Sequence, residues 1–317
     1  MNNFGFKSIL KDELCNFIQF KRSCGYKYIA EVNLCKKIDN YWYKLNLSKF
    51  ELTEEHVMNY AKRGKNESIN YLKDRLYIIK HFALFLVKQG YANIYVYDYP
   101  IKQNKYQYIP YIYTEDDFIT FINAINNSKI YDKEKYCTIF KLLYCTGLRL
   151  SEASHIKYKD VDLRKGTILI TNGKNCNIRL IGLSNSMLNT LKDYLSKRYI
   201  NENQYIFSTK NNTFIKNPAL ECMFRKINDS CKIGLNAVNK PRIHDFRHGF
   251  AIKTLDIMYE KGCDYYTTLP ILCKYMGHAD ITHTEYYLKL TKYYHYKVTE
   301  KEELYMNNII PEVTYDK

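Results

Sequence analysis

A chain of 317 residues with 46% hydrophobic residues is too apolar for wholesale disorder and long enough for two domains, each with its own core. Its formal net charge of +15 points to a polyanionic partner, nucleic acid before an anionic membrane. No apolar run approaches the roughly 18 residues of a membrane span, no basic stretch and apolar segment open the chain as an export signal would, and ten singly placed cysteines lack zinc-ligand spacing, so a cytoplasmic protein with reduced thiols is expected.

In chain order, the first ~95 residues read as four helices. Leu10, Leu14 and Phe17 share one face until Gly25 interrupts it, and Leu34, Ile38, Tyr41, Trp42 and Leu45 make a second stripe. Thr53 is an N-cap candidate before Val57, Tyr60 and Ala61. Ser68 precedes a long amphipathic run through Leu72, Leu76, Ile79, Ala83 and Leu86, closed by Gly90. Lys62, Arg63, Lys65, Lys73, Arg75 and Lys80 give this bundle basic faces.

From Tyr99 to Tyr113 helical period lapses around Pro100 and Pro110, which reads as an extended interdomain linker. A helix opens at Thr114 with Glu115, Asp116 and Asp117 in its first turn and an apolar face of Phe118, Phe121, Ile122 and Ile125. Tyr136, Ile139, Phe140 and Leu143 form a buried stripe ending at Gly147. The β-branched runs Thr167–Thr171 and Ile178–Leu183 flank Asn172-Gly173 and predict a hairpin. Asn217-Pro218 starts a helix, another begins near His244, and a further one ends at Gly277. The fold class is therefore mainly α with a small β-sheet (α+β).

Four separated clusters carry chemistry: Thr146-Gly147-Leu148-Arg149-Leu150-Ser151-Glu152, Gly173-Lys174, His244-Asp245-Phe246-Arg247-His248 and Met276-Gly277-His278, with Tyr287 nine residues after His278. A guanidinium at the Arg149 helix junction can grip two phosphate oxygens as a fork. Lys174 sits at a hairpin tip, where a long side chain can reach into a groove. His244 and Arg247, three apart at a helix start, project from one face beside a site that favours anions. A phenol such as Tyr287, ordinarily with a pKa near ~10, needs cationic neighbours or a base to attack at neutral pH. Its neighbour Tyr286 competes for that role. Singly, each cluster has a plain structural explanation: an Arg149–Glu152 pair, a solvated Lys174, a helix cap at Gly277-His278. Their order is the specific signal.

That order, Thr-Gly-Leu-Arg-x-Ser-Glu, then Gly-Lys, His-x-x-Arg-His, Gly-His and a tyrosine nine residues on, resembles the tyrosine recombinase family of phage integrases, Xer-like enzymes and transposon integrases. The likeness runs over roughly residues 110–295. It implies a helical, SAM-like core-binding domain at 1–98, a linker at 99–113, a catalytic domain at 114–295 and a tail at 296–317 that docks on a neighbouring protomer or packs on its own. It also implies a C-shaped clamp around duplex DNA. By the same resemblance Arg149, Arg247 and His278 hold the scissile phosphate, Lys174 protonates the 5′-hydroxyl leaving group, and His244 takes or steers the proton of the nucleophile. Tyr287 attacks to form a 3′-phosphotyrosyl bond. Glu152 orients Arg149, and His248 is a supporting residue. No cofactor and no metal are implied.

The implied activity is site-specific recombination of a mobile element, with double-stranded DNA and a tetramer of the chain on two DNA sites as partners, together with accessory DNA-bending or directionality factors. A non-catalytic DNA-binding regulator on the same fold and a type IB topoisomerase-like nicking-closing enzyme are the alternative readings. The chain departs from the family pattern with His283-Thr284 in place of two threonines, with Gly182 in place of a strand proline, and in a longer Met258–Leu269 segment.

Overall fold

The computed structural model describes residues 4–100, 108–171 and 178–291. The sequence expectations for Gly173, Lys174 and the 296–317 tail therefore lie outside the described residues. The chain divides into two compact units, Met1–Tyr106 and Gln107–Lys317.

The first unit holds helices α1 (Lys11–Ser23), α2 (Glu31–Leu45), α3 (Glu54–Ala61) and α4 (Ile69–Lys88). Thr53 and Ser68 cap α3 and α4, each side-chain oxygen accepting from a backbone N–H of the first turn. Their apolar stripes meet in a core around Phe17, Trp42 and Phe82, all essentially inaccessible. The Trp42 indole N–H donates to the Glu51 carbonyl at 3.0 Å, so the ring is buried without an orphaned donor. Arg75, read from sequence as part of a basic face, is instead 8% exposed and forks onto Glu67 with two 2.9 Å hydrogen bonds. Its long stem lies on the core side of α4, where only a partnered guanidinium is tolerated.

The second unit is helical with one small sheet. Its elements are α5 (Glu115–Asn127), α6 (Lys133–Thr146), α7 (Leu150–Ser154), β1 (Val161–Asp162), β2 (Thr167–Ile170), β3 (Arg179–Gly182), α8 (Asn185–Ser196), α9 (Asn217–Cys231), α10 (Asp245–Glu260), α11 (Tyr265–Met276) and α12 (Thr282–Leu288). The strands form an antiparallel sheet in the order β1-β2-β3, with Ile168 opposite Ile181 and Ile170 opposite Arg179. Thr114 and Asp117 make a reciprocal capping box at the start of α5, where the sequence places a helix opening.

Of the stretch read as a linker, residues 108–113 belong to this unit. Tyr113 is 2% exposed and its hydroxyl donates to the Asn228 Oδ1 at 2.5 Å. Helical period was lost there, but the aromatic side chains still pack. The main core gathers Phe121, Phe140, Phe224 and Phe246, whose ring centroids stand 5.3–6.4 Å apart. A smaller cluster joins α10, α11 and α12 through Ala251, Ile252, Leu255, Leu272, Met276 and Tyr287. Each fully buried leucine or isoleucine there contributes on the order of 1.5–3 kcal/mol, enough to seat the short α12. No described helix is long and apolar enough to cross a membrane.

Candidate active site

Two glycines shape the site. Gly147 ends α6 and Gly277 ends α11, both with left-handed backbone (φ +61° and +66°) that an L-residue adopts only with strain. The carbonyls at these helix ends are orphaned by geometry and lie at the negative pole of each helix. Three arginines answer them. Arg179 Nε donates to the Tyr275 carbonyl, Arg247 Nη2 to that of Met276 and Arg149 Nη2 to that of Gly277, each at 2.7 Å. Arg247 Nη1 also donates to the Gly147 carbonyl at 2.8 Å, so one guanidinium joins the ends of α6 and α11.

Glu152 completes the cluster from α7. Its carboxylate accepts from Arg149 Nη1 at 2.9 Å and the Arg149 backbone N–H at 3.0 Å, and takes a fork from Arg179 at 3.0 and 2.7 Å. The Glu152 side chain is 1% exposed, and the two arginines together with the backbone N–H hold its pKa below the usual range against the opposing cost of burial. One carboxylate facing three guanidinium groups leaves two positive charges unmatched in this network.

Arg149, His244, Arg247, His248, Gly277, His278, Tyr286 and Tyr287 are among the residues lining one cavity of about 490 Å³. Arg247 is 2% exposed, and its pKa is pushed down to about 10 by burial and then by repulsion from Arg149, so it stays charged at neutral pH. His278 Nε2 lies 2.9 Å from Arg247 Nη2 and its Nδ1 2.9 Å from the Thr284 hydroxyl. A guanidinium can only donate, so Nε2 accepts and Nδ1 carries the proton toward Thr284. Desolvation and the neighbouring arginines push the His278 pKa down to about 3. The same two causes take His244 to about 4, although the residue as a whole is exposed. Desolvation, then His244 and the arginines, lower His248 to about 3, and its Nδ1 is buried without a hydrogen-bond partner.

Tyr287 lies on α12, 3% exposed, with its ring stacked 6.0 Å from that of His278. Burial raises its pKa, opposed by the charge of Arg247, a hydrogen bond to it, and the charge of Arg149. Tyr286 also lines the cavity, but its hydroxyl is engaged, donating to the Tyr108 carbonyl.

Of the residues singled out in the sequence, Arg149, His244, Arg247, His248, His278 and Tyr287 thus share one cavity, with Glu152 directly behind Arg149. Sequence reasoning missed Arg179, Thr284 as the partner of His278, and the Arg242–Tyr108–Asp245 group beneath His244. In that group Arg242 stacks 3.6 Å over Tyr108, while the Tyr108 hydroxyl meets the fully buried Asp245 carboxylate at 3.3 Å. Parity alone could have found Arg179: it is two residues from Ile181, on the core-facing side of its strand.

Comparison with known proteins agrees with this geometry. The model of the phage integrase family matches residues 112–293, more than half of the chain. A tyrosine recombinase XerA of Pyrococcus furiosus is 28% identical over 201 residues, covering 63% of this chain and 65% of that protein. The chain spans about three fifths of the length of the first curated relatives it matches. Among solved structures, the Tn1549 transposon integrase in complex with circular intermediate DNA shares the fold with a TM-score of 0.65 at 18% identity, covering 86% of this chain and 94% of that one. The XerH site-specific recombinase bound to palindromic difH substrate, a post-cleavage complex, gives 0.61 at 20% identity over 82% and 76%. With an ordered set of motifs converging on one cationic cavity and a family match over most of its second unit, this chain belongs to the phage integrase family.

Proposed function

We propose that the protein is a tyrosine site-specific recombinase, cutting and rejoining duplex DNA for the integration or excision of a mobile element. The observation that carries this reading is the buried Tyr287 phenol set beside Arg247, Arg149 and His278 in one cavity with two unmatched positive charges. Double-stranded DNA would be its substrate and a tetramer on two sites its working form, with affinity dominated by Lys and Arg contacts to phosphates and falling steeply with salt.

In the proposed reaction Arg149 and Arg247 grip the nonbridging oxygens of the scissile phosphate, where charge grows in the transition state. The phosphate draws Arg247 off His278, and beside that anion the imidazole gains a proton from solvent at Nε2, which then donates as a third partner while Nδ1 keeps its hydrogen bond to Thr284. The Tyr287 oxygen attacks phosphorus, its proton steered by His244, whose basicity rises beside the incoming anion. The bond to the 5′-oxygen breaks, Lys174 supplies that oxygen's proton, and a 3′-phosphotyrosyl bond forms. Attack by another strand's 5′-hydroxyl reverses the chemistry, so the phosphodiester energy is conserved. Glu152 keeps Arg149 in place, and His248 supports His244 and Tyr287 through ring contacts at 4.8 and 5.5 Å.

The test uses a nicked suicide duplex recovered by the protein from a randomised pool. Wild-type chain and Tyr286→Phe are expected to form a covalent DNA adduct, whereas Tyr287→Phe binds with unchanged salt dependence and forms none. An adduct on Tyr287→Phe refutes the nucleophile assignment and passes it to Tyr286. Duplex binding without any adduct by the wild-type chain favours the non-catalytic regulator.

A further inference from the structure

Arg179 is the one guanidinium of the cluster that does not line the cavity, yet it makes three fixed contacts, as many as Arg247 and one more than the Arg149 guanidinium. Its side chain is 8% exposed and stands at the head of β3 opposite Ile170, on the face of the sheet that also carries Ile168 and Ile181. A cation on a core face is expensive unless fully paired. Here three donor atoms are satisfied: Nη1 and Nη2 on the two oxygens of Glu152, Nε on the Tyr275 carbonyl.

The geometry shows what that expense secures. Glu152 Oε1 receives both Arg149 Nη1 and Arg179 Nη1, at 2.9 and 3.0 Å. A carboxylate held only by Arg149 could rotate about its χ torsions; forked by Arg179 it is fixed in plane, and its remaining lone pairs dictate where the Arg149 fork points. The third Arg179 contact anchors the same unit to the end of α11, one residue from the Met276 carbonyl that holds Arg247 and two from the Gly277 carbonyl that holds Arg149. Gly277 packs against both guanidinium groups, an added Cβ falling 2.8 Å from Arg179 Nη1 and 3.3 Å from Arg149 Nη1.

We infer that Arg179 is a positioning residue for the phosphate clamp: through Glu152 and the end of α11 it sets the aim of Arg149, without touching DNA itself. This rests on the recombinase reading above. Lysine cannot replace it, because a point ammonium cannot fork a carboxylate and reach the Tyr275 carbonyl together.

The experiment measures single-turnover cleavage of the suicide duplex by full-length wild-type, Arg179→Gln, Arg179→Lys, Arg149→Gln and the Arg149→Gln/Arg179→Gln double variant. Each is assayed on a phosphodiester and on a duplex with a methylphosphonate at the scissile position. Methylphosphonate carries no nonbridging negative charge, so dependence on a correctly aimed cation shrinks. On phosphodiester, Arg179→Gln is expected to slow cleavage about 100-fold, the effect of a misplacement near 1 Å, with duplex affinity within about 3-fold of wild type.

On methylphosphonate the defects of Arg179→Gln and Arg149→Gln should both fall below about 10-fold. The double variant should cleave no more slowly than Arg149→Gln alone, since the two residues act as a unit. Equal losses on both substrates, or multiplicative losses in the double variant, overturn the inference and leave Arg179 a packing residue. Should Arg179→Gln not fold, Arg179→Lys carries the same substrate comparison. A wild-type chain that forms no adduct on either duplex instead defeats the recombinase reading, which separates the two failures.

Discussion

Replacing Gly277 by alanine tests whether the end of α11 sets the clamp. The residue sits at φ +66°, where an L-side chain costs about 1–2 kcal/mol. For a unit of about 200 residues that lowers Tm by roughly 2–8 °C. Gly262 has the same handedness (φ +78°) but opens onto empty space, so Gly262→Ala bears the backbone cost alone. At Gly277 the new Cβ also falls 2.8 Å from Arg179 Nη1, and that guanidinium must retreat by about 0.6 Å to regain an ordinary contact of 3.4 Å. Misplacement on this scale costs roughly 10- to 100-fold in rate. Both variants should therefore lose comparable thermal stability, read by calorimetry. Only Gly277→Ala should lose single-turnover cleavage by 10-fold or more at unchanged duplex affinity. Cleavage by Gly277→Ala within about 2-fold of Gly262→Ala would refute the argument, because the arginines would then be free of the helix end.

Glu152→Gln removes the carboxylate that, among the described residues, pairs with the arginine cluster; breaking a buried pair from one side typically costs about 3–5 kcal/mol, so Tm should fall sharply, and added sulfate should recover part of the loss by occupying the cavity. Acidification offers an independent check. His244, His248 and His278 have pKa values of about 4, 3 and 3 in the fold, against roughly 6.5 in the unfolded chain, so between pH 6.5 and 5 the unfolded state takes up more protons and stability falls as pH falls. His278→Asn should flatten the slope of Tm against pH in that window, and an unaltered slope would contradict the depressed value.

Much of the fold was legible because its boundaries are written in local chemistry. Thr53 caps α3 as expected, Ser68 and Thr114 cap the helices whose openings they mark in the sequence, and Gly90, Gly147 and Gly277 take left-handed conformations at or just beyond helix ends. The hairpin strands pair as the two β-branched runs suggest. Helix α8 and the two-residue β1 were not anticipated, the latter being too short to display any period. At the site, residues in short motifs were readable since composition and order mark them. Arg179 carries no motif; its role arises from a fork across 27 positions of sequence onto Glu152, which only a folded chain reveals. The Tyr108 contacts lay hidden for the same reason, its partner Asp245 being 137 positions away.

The anchoring of three arginines on consecutive carbonyls at the close of α11 bears on when the cationic cavity takes shape. Those bonds span 96, 29 and 128 positions, so every one of them waits for distant parts of the chain to meet. A polypeptide still emerging from the ribosome, or one that has half unravelled, carries the Tyr287 phenol without the arginine cluster that surrounds it in the fold. On the recombinase reading proposed above, competence to cut DNA would arrive last, together with the finished architecture, and would be the first thing to vanish when that architecture loosens.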